Sequence, residues 1–403
     1  MLHRGQYITR SRNLTHRHCR YFLTRKKRYC RMTVKNGNEY CGEHLENELR
    51  DVLKRKRIKC PLDPTHTCYA SKLVKHLTVC NKKKFNDALP AYIVEGVNTE
   101  SKEQRISTRI PLSQVDRTIL EETLKKLNEA YENLPVFSEV ELSHEILKKE
   151  LQKSTYGRET KKHLRQNASL LAHLANAGLV RDNTCFIEFG AGKGKLTYWL
   201  AQIIRDQRNS AVLLVDRSSH RNKSDNKLRN EVSSLDTLRI RADIADLKLG
   251  AVPEIQRFHN KVAIAKHLCG AATDLTLRCL AKAIQQESEM NINGIVIAFC
   301  CHHRCDYNTY VGTEYLSNCR FTPKEFQMLC SIASWATCGS RRDDIDSSLP
   351  NDREDIGRRV KILLNWGRLE YLKTLGFHCQ LLYYVPTDVS LENMCIIATK
   401  CPI

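Results

Sequence analysis

The 403-residue chain holds 65 Lys and Arg against 45 Asp and Glu, a net charge of +20, together with 18 Cys. It contains no run of 18 apolar residues and begins with no apolar segment, so we expect neither a membrane-spanning helix nor a secretory signal. Cysteines without a secretion signal favour reduced thiols and metal ligands over disulfides, and we expect an intracellular protein, nuclear and/or cytoplasmic and not secreted.

The positive charge is concentrated near the start of the chain. Residues 1–84 hold 22 Lys and Arg against 6 Asp and Glu, so most of the excess lies in the first fifth. A small basic region attached to a nearly balanced larger one favours a polyanionic partner, above all nucleic acid. Two plainer interpretations stay open: a solvated basic tail, and a nuclear import signal at Lys54–Arg57.

The first set of metal ligands lies in residues 12–47, which we predict to be a CCCH-type zinc finger. The ligands are Cys19, Cys30, Cys41 and His44. Three thiolates and one imidazole complete the tetrahedral shell of a zinc ion and leave no open position, as in structural sites. Basic and aromatic residues alternate between these ligands, which indicates an RNA-binding surface. Its predicted RNA-binding residues are Arg25, Lys26, Lys27 and Arg28.

A second ligand set lies in residues 57–84, which we predict to be a CHHC-type zinc finger. The ligands are Cys60, His66, His76 and Cys80. The last two are four residues apart and share one face of a helical segment. Each module has about 30 residues, too few for an apolar core of its own, so zinc must supply the folding energy. We therefore expect two structural zinc ions, and Cys68 is left without a role.

Residues 85–160 are expected to be a linker that contains one amphipathic helix. The stretch Leu120–Leu134 has helical apolar spacing, and its expected role is to dock the fingers on the following domain or to space them from it. A coiled-coil dimer is disfavoured because the apolar pattern lasts only about two heptads.

A strand that ends in three alternating glycines, in CFIEFGAGKGKLT (Cys185–Thr197), is the strongest signal in the chain. Such a turn lets the backbone approach a nucleotide-like ligand, with a helix N-terminus pointing at it. The spacing does not fit a P-loop. It resembles motif I of class I S-adenosylmethionine (SAM) methyltransferases more than a dinucleotide site, which stays the alternative. Acids after the next two strands suit the adenosine ribose and adenine. The predicted cofactor-binding residues are Glu188, Gly190, Gly192, Gly194, Asp216 and Asp243.

Strands and helices alternate throughout residues 161–403. Helices are expected at Pro323–Trp335 and Gly357–Leu375. The last two strands, in FHCQLLYYV and MCIIATK, are separated by a connection short enough for an antiparallel hairpin. A mostly parallel, seven-stranded sheet closed by such a hairpin predicts an α/β fold of the Rossmann-like class I SAM-dependent methyltransferase type, preceded by the two fingers. A dehydrogenase domain would usually finish with a parallel strand.

The order CCCH finger, CHHC finger, EFGAGKGKLT, KHLCGAATDL and CCHHRC resembles the eukaryotic tRNA 2′-O-ribose methyltransferases that act on nucleotide 4 of the acceptor stem, the Trm-thirteen family. The resemblance covers nearly the whole chain. It implies SAM as cofactor, tRNA as substrate and partner, and zinc; no obligate protein partner is evident. The resemblance does not supply an established catalytic residue.

The catalytic base is sought at the end of the fourth strand, in KHLCG. A ribose 2′-hydroxyl is a poor acid, so methyl transfer needs help in removing its proton and in aligning the reacting atoms. Lys266 can act if burial and a neighbouring positive charge lower its pKa, whereas His267 needs no such shift. We favour Lys266 slightly. His267, a purely positional mechanism and a phosphate-contacting role for Lys266 stay open.

The segment CCHHRC (Cys300–Cys305) holds five potential metal ligands in six residues. Adjacent side chains diverge at a strand end and cannot all reach one ion, so we favour a pocket wall beside the transferred methyl over a third zinc site. In that interpretation Arg304 meets a phosphate. A covalent cysteine mechanism is conceivable, although transfer to a hydroxyl does not require one.

Two other function classes compete with the tRNA 2′-O-methyltransferase. One is a non-enzymatic RNA-binding or splicing factor that uses the fingers; the intact glycine motif and the acids after the strands count against it. The other is a methyltransferase that acts on an RNA base or a protein. Base N-methylation often uses Pro-Pro-Tyr/Phe after the fourth strand, where this chain has KHLCG.

Overall fold

The structure is a computed structural model of the chain, and it divides into a smaller unit of residues 1–90 and a larger unit of residues 91–403. The residues it describes are 18–23, 26–35, 37–44, 57–64, 66–80, 89–99, 111–220, 223–232, 234–286, 290–337 and 352–400. None of the helices in these ranges combines the length and the apolarity that a membrane span requires.

The smaller unit contains two short antiparallel hairpins and one helix. Their bounds are β1 Phe22–Leu23, β2 Arg28–Tyr29, β3 Arg57–Lys59, β4 Thr67–Tyr69 and α1 Leu73–Val79. The hairpins are joined through Glu43, whose carboxylate accepts hydrogen bonds from Arg57 Nη2 (2.8 Å) and Thr67 Oγ1 (3.1 Å). Its buried hydrophobic residues, among those described, are all cysteines: Cys19, Cys30, Cys41, Cys60, Cys68 and Cys80. Among the described residues of this unit, apolar packing is therefore too small to account for the fold by itself.

Seven strands form one sheet within the described part of the larger unit. They are β5 Thr184–Phe189, β6 Ala211–Val215, β7 Asp236–Ile240, β8 Asn260–Cys269, β9 Ile292–Cys300, β10 His378–Tyr383 and β11 Met394–Thr399. The order across the sheet is β10-β11-β9-β8-β5-β6-β7. Within this sheet β5 to β9 run parallel, whereas β11 is antiparallel to both β9 and β10. This arrangement confirms the predicted class I methyltransferase fold with its terminal hairpin.

Helices cover both faces of the sheet, because the parallel strands are apolar on both sides. Their bounds are α2 Arg117–Glu132, α3 Lys148–Leu151, α4 Arg158–Asn176, α5 Lys195–Ile204, α6 Ser224–Glu231, α7 Pro253–Gln256, α8 Ala271–Gln286, α9 Thr313–Asn318, α10 Pro323–Ala333 and α11 Arg353–Thr374. One core includes Ile187 and Ile295, and the other includes Phe186 and Val296. Successive strand residues point to opposite faces, which explains this division. The expected helix at Gly357–Leu375 begins earlier, at Arg353.

The predicted amphipathic helix of the linker is α2, and it packs into the larger unit. Asp116 caps its first turn by accepting from Thr118 N at 2.8 Å. Its buried Leu120 and Leu127 join the core formed by α10 and α11. Lys126 also forms an ion pair with Glu325 at 2.7 Å. The apolar stripe that was expected to dock or space the fingers is therefore covered by helices of the larger unit.

Candidate active site and metal centres

The glycine loop lies between β5 and α5, at the carboxyl edge of the sheet. Gly190, Gly192 and Gly194 have φ values of 64°, 52° and 71°, a region that residues with a Cβ rarely adopt. A Cβ on Gly190 would lie 3.0 Å from Leu268, and one on Gly194 would lie 2.8 Å from Leu214. A Cβ on Gly192 would meet nothing nearer than 4.0 Å. The outer two glycines are thus needed for packing, and the middle one leaves open space in front of the loop.

The peptide groups of Gly192 are held from two neighbouring strands. Asp216 Oδ2, just beyond β6, accepts from Gly192 N at 2.8 Å, and its other oxygen accepts from Ser218 N at 2.7 Å. Arg239 on β7 donates to Gly192 O at 3.1 Å. The Arg239 guanidinium is itself held by two hydrogen bonds to the Asp225 carboxylate. Asp216 therefore positions the loop, while its part in binding a ribose stays a prediction.

Arg239 and Asp225 were not identified from the sequence. Arg239 is 47 residues from Gly192 and 14 residues from Asp225 along the chain, so no local motif links these residues to the glycine loop. The sequence signal for Arg239 is the position of a charged residue within strand β7, which packs against neighbouring elements. A buried charge of that kind requires a partner.

Glu188 lies at the end of β5 and is buried. One carboxylate oxygen accepts from Thr197 N at 3.1 Å and from the Thr197 hydroxyl, which fixes the first turn of α5. Burial raises the pKa of Glu188 to about 7, against the opposing effect of these hydrogen bonds. Because Glu188 fixes the start of α5, directly after the glycine loop, it suits a supporting role in a cofactor site.

Asp243 lies three residues beyond the end of β7, at the start of a short 3₁₀ turn. One oxygen accepts from Ala245 N at 3.1 Å, and Arg217 lies 3.7 Å from the other. Its side chain is 41% exposed, so a ligand at the carboxyl edge can reach it. Its contact with adenine stays a prediction.

Lys266 lies near the carboxyl end of β8, with its amino group directed at helix α4. Nζ donates to Asn167 Oδ1 at 2.5 Å and to the His163 carbonyl at 3.3 Å. Burial lowers the pKa of Lys266 to about 8, although the charge of Glu188 opposes this shift. The amine is thus held in one orientation and is partly neutral at a mildly alkaline pH. The catalytic assignment itself stays a prediction.

A sequence signal for Asn167 exists in helix α4, although no motif marks this residue. Gln166, Asn167 and Ser169 are buried polar residues on one helix, within a pattern that otherwise buries Leu and Ala. Buried amides of that kind require partners, and one of them holds the candidate base.

His267 is an inserted residue, the extra member of a bulge in β8. The register passes from Lys266↔Ala298 to Leu268↔Phe299, so His267 has no partner on β9. Its φ is 60°, in the left-handed region. The residue is exposed at the carboxyl edge, yet desolvation by its surroundings, followed by the charges of Lys266 and His163, lowers the pKa of His267 to about 4. The neutral ring accepts a proton weakly, which favours Lys266 over His267 as the base.

The side chains of CCHHRC separate into two groups. His302 turns inward and bonds to Asn365 Oδ1 at 2.8 Å, and Cys305 lies 3.0 Å from Arg368 Nη2 in the buried interior. Cys300 and Cys301 instead stay together at the carboxyl edge, with Sγ atoms 3.2 Å apart. The divergence predicted from the sequence is correct for the first group. Cys269 in KHLCG lies beside this second group, a proximity that the sequence did not indicate.

Both predicted finger ligand sets come together in the structure. In the first, Cys19 Sγ and Cys41 Sγ lie 3.4 and 3.2 Å from His44 Nδ1. In the second, Cys60 Sγ and Cys80 Sγ are 3.8 Å apart. All four donor atoms of each set lie within 4.8 Å of one another. Four converging S and N donors fit a closed, tetrahedral zinc site.

The predicted RNA-binding residues lie at the β1–β2 hairpin, apart from Arg25, which is outside the described residues. Lys26 and Lys27 are exposed and Arg28 is half-buried. Beside them the exposed rings of Phe22 and Tyr29 meet edge to face, with centroids 5.2 Å apart. Exposed aromatic rings next to cations suit stacking on bases and contact with phosphates.

Comparison with protein families gives three matches along the chain. The model described as "Methyltransferase TRM13" matches residues 165–399. The model described as "CCCH zinc finger in TRM13 protein" matches residues 17–45, and "U11-48K-like CHHC zinc finger" matches residues 57–81. The predicted methyltransferase and both predicted types of zinc finger are therefore confirmed.

Curated relatives match over nearly their whole length. The "tRNA:m(4)X modification enzyme TRM13 homolog" of Mus musculus is 35% identical, with 94% of each chain covered. The "tRNA:m(4)X modification enzyme TRM13" of Saccharomyces cerevisiae is 30% identical, with 98% of each covered. Among solved structures, magnesium protoporphyrin IX methyltransferase from Synechocystis, crystallised with S-adenosylhomocysteine, is 12% identical. It covers 71% of this chain and all of its own, with a TM-score of 0.31.

Proposed function

This chain belongs to the TRM13 methyltransferase family, and we propose that it is a tRNA 2′-O-methyltransferase that methylates the ribose 2′-hydroxyl of nucleotide 4 in the acceptor stem. SAM is the methyl donor, and the two fingers each hold a structural zinc ion. The single observation that carries the choice of a hydroxyl is Lys266, a half-buried lysine with a lowered pKa, fixed at the carboxyl edge of the sheet.

The residues present fit the methyl donor. The glycine loop, Asp216 and Asp243 follow three adjacent strands at the same edge of the sheet, with open space in front of Gly192. We assign the loop to the amino-acid and sulfur end of SAM, Asp216 to the ribose hydroxyls and Asp243 to the adenine. When bound, SAM supplies an electrophilic methyl group on a positively charged sulfur.

Lys266 performs the proton transfer in this proposal. Asn167 Oδ1 and the His163 carbonyl hold Nζ in place, so two of the three hydrogen-bond directions of the amine are already used. In its neutral form Nζ accepts the proton of the ribose hydroxyl, which is otherwise far too weak an acid at neutral pH. A positive charge beside Lys266, such as the sulfur of bound SAM, would lower the pKa of Lys266 further. The pH range in which the amine is neutral would then extend toward pH 7.

We assign tRNA binding to the basic and aromatic surface of the first finger. Lys26, Lys27 and Arg28 supply charge, and Phe22 and Tyr29 supply stacking surface. The relatives named as tRNA:m(4)X modification enzymes support tRNA as the substrate. A tRNA substrate also supports our proposal of an intracellular location, in the nucleus and/or the cytoplasm.

The decisive experiment uses the full chain, labelled SAM and two matched tRNA transcripts. One carries an ordinary ribose at nucleotide 4 and the other a 2′-deoxyribose there. After reaction, alkaline digestion spares only bonds that follow a nucleotide without a free 2′-hydroxyl, so the label distinguishes a 2′-O-methyl group from the 2′-deoxyribose. We expect labelled, alkali-resistant dinucleotides from the first transcript and no label in the second.

Three results would contradict the proposal. Label in mononucleotides would indicate methylation of a base, and equal labelling of both transcripts would place the methyl group at another nucleotide. Label in protein alone, with unlabelled tRNA, would indicate a protein methyltransferase. The Lys266→Ala variant serves as the catalytic control in each reaction.

A further inference from the structure

Three cysteines of the larger unit meet at the carboxyl edge of the sheet, outside the ligand sets of the fingers. Cys269 Sγ lies 3.4 Å from Cys300 Sγ, which lies 3.2 Å from Cys301 Sγ. All three sulfur atoms lie within 4.8 Å of one another, and all three residues are half-buried, so solvent reaches the cluster. These separations are far too long for a disulfide bond, which has an S–S length of about 2.0 Å.

Two unusual backbone conformations bring the sulfur atoms together. The bulge at His267 shifts the register of β8 by one residue and sets Cys269 opposite Cys300 on β9. Cys301 then adopts a left-handed conformation, with φ and ψ both 50°. Side chains of successive residues in a regular strand point to opposite faces, so two adjacent thiols converge only if the chain turns in this way. Left-handed residues that are not glycine are costly and collect at functional sites.

The two turns that carry these cysteines are packed directly on each other. Gly270 N donates to Cys300 O at 3.2 Å. A Cβ on Gly270 would lie 2.4 Å from Arg304 O, so only glycine fits there. The close contact between KHLCG and CCHHRC thus keeps the three thiols at the spacing of a ligand set.

That spacing matches the two zinc fingers of the same chain. Donor pairs there are separated by 3.1 to 3.8 Å, as in His76 Nε2 to Cys60 Sγ and Cys60 Sγ to Cys80 Sγ. Zinc–sulfur bonds of about 2.3 Å in a tetrahedral site place sulfur atoms nearly 4 Å apart, so the cluster pairs at 3.4 and 3.2 Å would spread by about half an ångström around an ion. The cluster in the larger unit therefore has the dimensions of a metal site.

We propose that Cys269, Cys300 and Cys301 form a third zinc site, with three thiolate ligands and a fourth position open to solvent. Three soft thiolates select a thiophilic ion such as zinc over magnesium or calcium. Glu392 does not complete the shell, because one oxygen accepts from Cys301 N at 3.3 Å and the other pairs with Lys361 at 2.9 Å. Glu392 instead orients Cys301 through its backbone.

The ion cross-links the ends of β8 and β9. It joins the end of β8, the strand that carries Lys266, to the start of CCHHRC, since Cys269 and Cys300 are 31 residues apart along the chain. This assignment replaces the pocket wall favoured from the sequence, since the missing third ligand comes from KHLCG. It does not depend on the identity of the methyl acceptor.

The test is to purify the full-length protein without chelators and to measure its zinc content by inductively coupled plasma mass spectrometry. We expect three zinc ions per chain in the wild type and two in Cys301→Ser. The control is Cys379→Ser, which removes a half-buried cysteine outside the cluster and should retain three. Cys269→Ser, on the other strand, should also contain two. SAM binding and circular dichroism establish that each variant is folded.

Replacement of zinc by cobalt supplies an independent measurement. Cys269→Ser and Cys301→Ser should lose part of the thiolate-to-cobalt absorption, and Cys379→Ser should lose none. Two zinc ions in the wild type and an unchanged count in both cluster variants would overturn the proposal. So would a disulfide among the three cysteines, detected as two fewer alkyl groups when the denatured protein is alkylated without reductant than when it is reduced first.

Discussion

The two units of this protein are stabilised in different ways. In the smaller unit the described buried hydrophobic residues are cysteines, and five of these six belong to the two predicted zinc ligand sets. In the larger unit two extensive apolar cores cover the faces of the sheet, and a third lies among the helices. Removal of a metal ligand should therefore abolish the fold of a finger, whereas the larger unit has other sources of stability.

In the proposed function this difference also separates the tasks of the units. A finger needs few residues to present cations and aromatic rings, so its surface is free for contact with nucleic acid. A cofactor site needs groups from several strands held at fixed positions, and a rigid sheet supplies them. The following predictions test whether stability, cofactor binding, catalysis and RNA binding separate in this way.

The largest effect is expected from a finger ligand. Cys30→Ser should unfold the first finger, because structural zinc contributes on the order of 10–16 kcal/mol to such modules. Zinc content should fall by one ion per chain, while SAM affinity measured by titration calorimetry stays unchanged. Cys68→Ser is the matched control, since Cys68 is buried but is not a ligand. Loss of SAM binding together with the finger would show that the units are not independent.

The glycine loop should give the next largest effect. Gly192→Val should reduce SAM binding below detection, because its side chain would occupy the open space in front of the loop. Gly178→Val is the control: it has a similar φ of 65° and lies in the turn after α4, so it imposes the same kind of backbone strain elsewhere. Equal SAM affinities for the two variants would place the cofactor away from this loop.

Lys266→Ala should lower kcat by about 10²-fold, roughly 2.7 kcal/mol, with SAM and tRNA affinities nearly unchanged. In the wild type, activity should rise with pH through about 8, because only the neutral amine accepts a proton and its fraction grows above the pKa. The variant should lack this rise. Lys282→Ala, which removes a half-buried lysine bonded to the Val97 carbonyl, should behave as the wild type.

Two further variants separate the roles of Lys266 and His267. Lys266→Arg keeps the charge but cannot act as a base, so its activity should stay as low as that of Lys266→Ala. His267→Asn removes the imidazole and tolerates the left-handed backbone, and it should keep most of the activity. If Lys266→Arg is active and His267→Asn is not, the base is His267.

Asp216→Ala should weaken SAM binding by about 1–3 kcal/mol. It removes an acceptor for the ribose and also frees Gly192 N from its hydrogen bond. Asp236→Ala is the control, since Asp236 begins the neighbouring strand β7 at the opposite edge of the sheet. An unchanged dissociation constant for Asp216→Ala would remove this residue from the cofactor site.

The smallest effect is expected from the basic surface of the first finger. The double change Lys26→Gln and Lys27→Gln should raise the apparent KM for tRNA. It should also reduce the salt dependence of binding: the slope of the logarithm of the binding constant against the logarithm of salt concentration should change by about 1–2. The control is the double change Lys72→Gln and Lys75→Gln, which removes the same charge from exposed positions on the second finger. Equal effects of the two double variants would indicate attraction by net charge alone.

Local patterns were sufficient for most of the architecture. Ligand sets such as Cys19 to His44 can be recognised from spacing, because zinc imposes residue types and number with little regard to the rest of the chain. The strands can be recognised because parallel strands are continuous apolar runs, and the closing hairpin because its connection is short. The sequence therefore identified two fingers, the sheet and the strand ends at which Asp216 and Lys266 lie.

Contacts between distant segments were decided by the tertiary structure. Asn167 holds Lys266 from 99 residues away, and Arg239 holds Gly192 from 47 residues away. The pairing of Cys269 with Cys300 depends on a one-residue bulge, which no periodicity reveals. The sequence by itself determined which chemical groups are present and on which strand ends they lie. Register, bulges and the packing of α4 determined which of them meet, because those depend on free energies summed over the whole core.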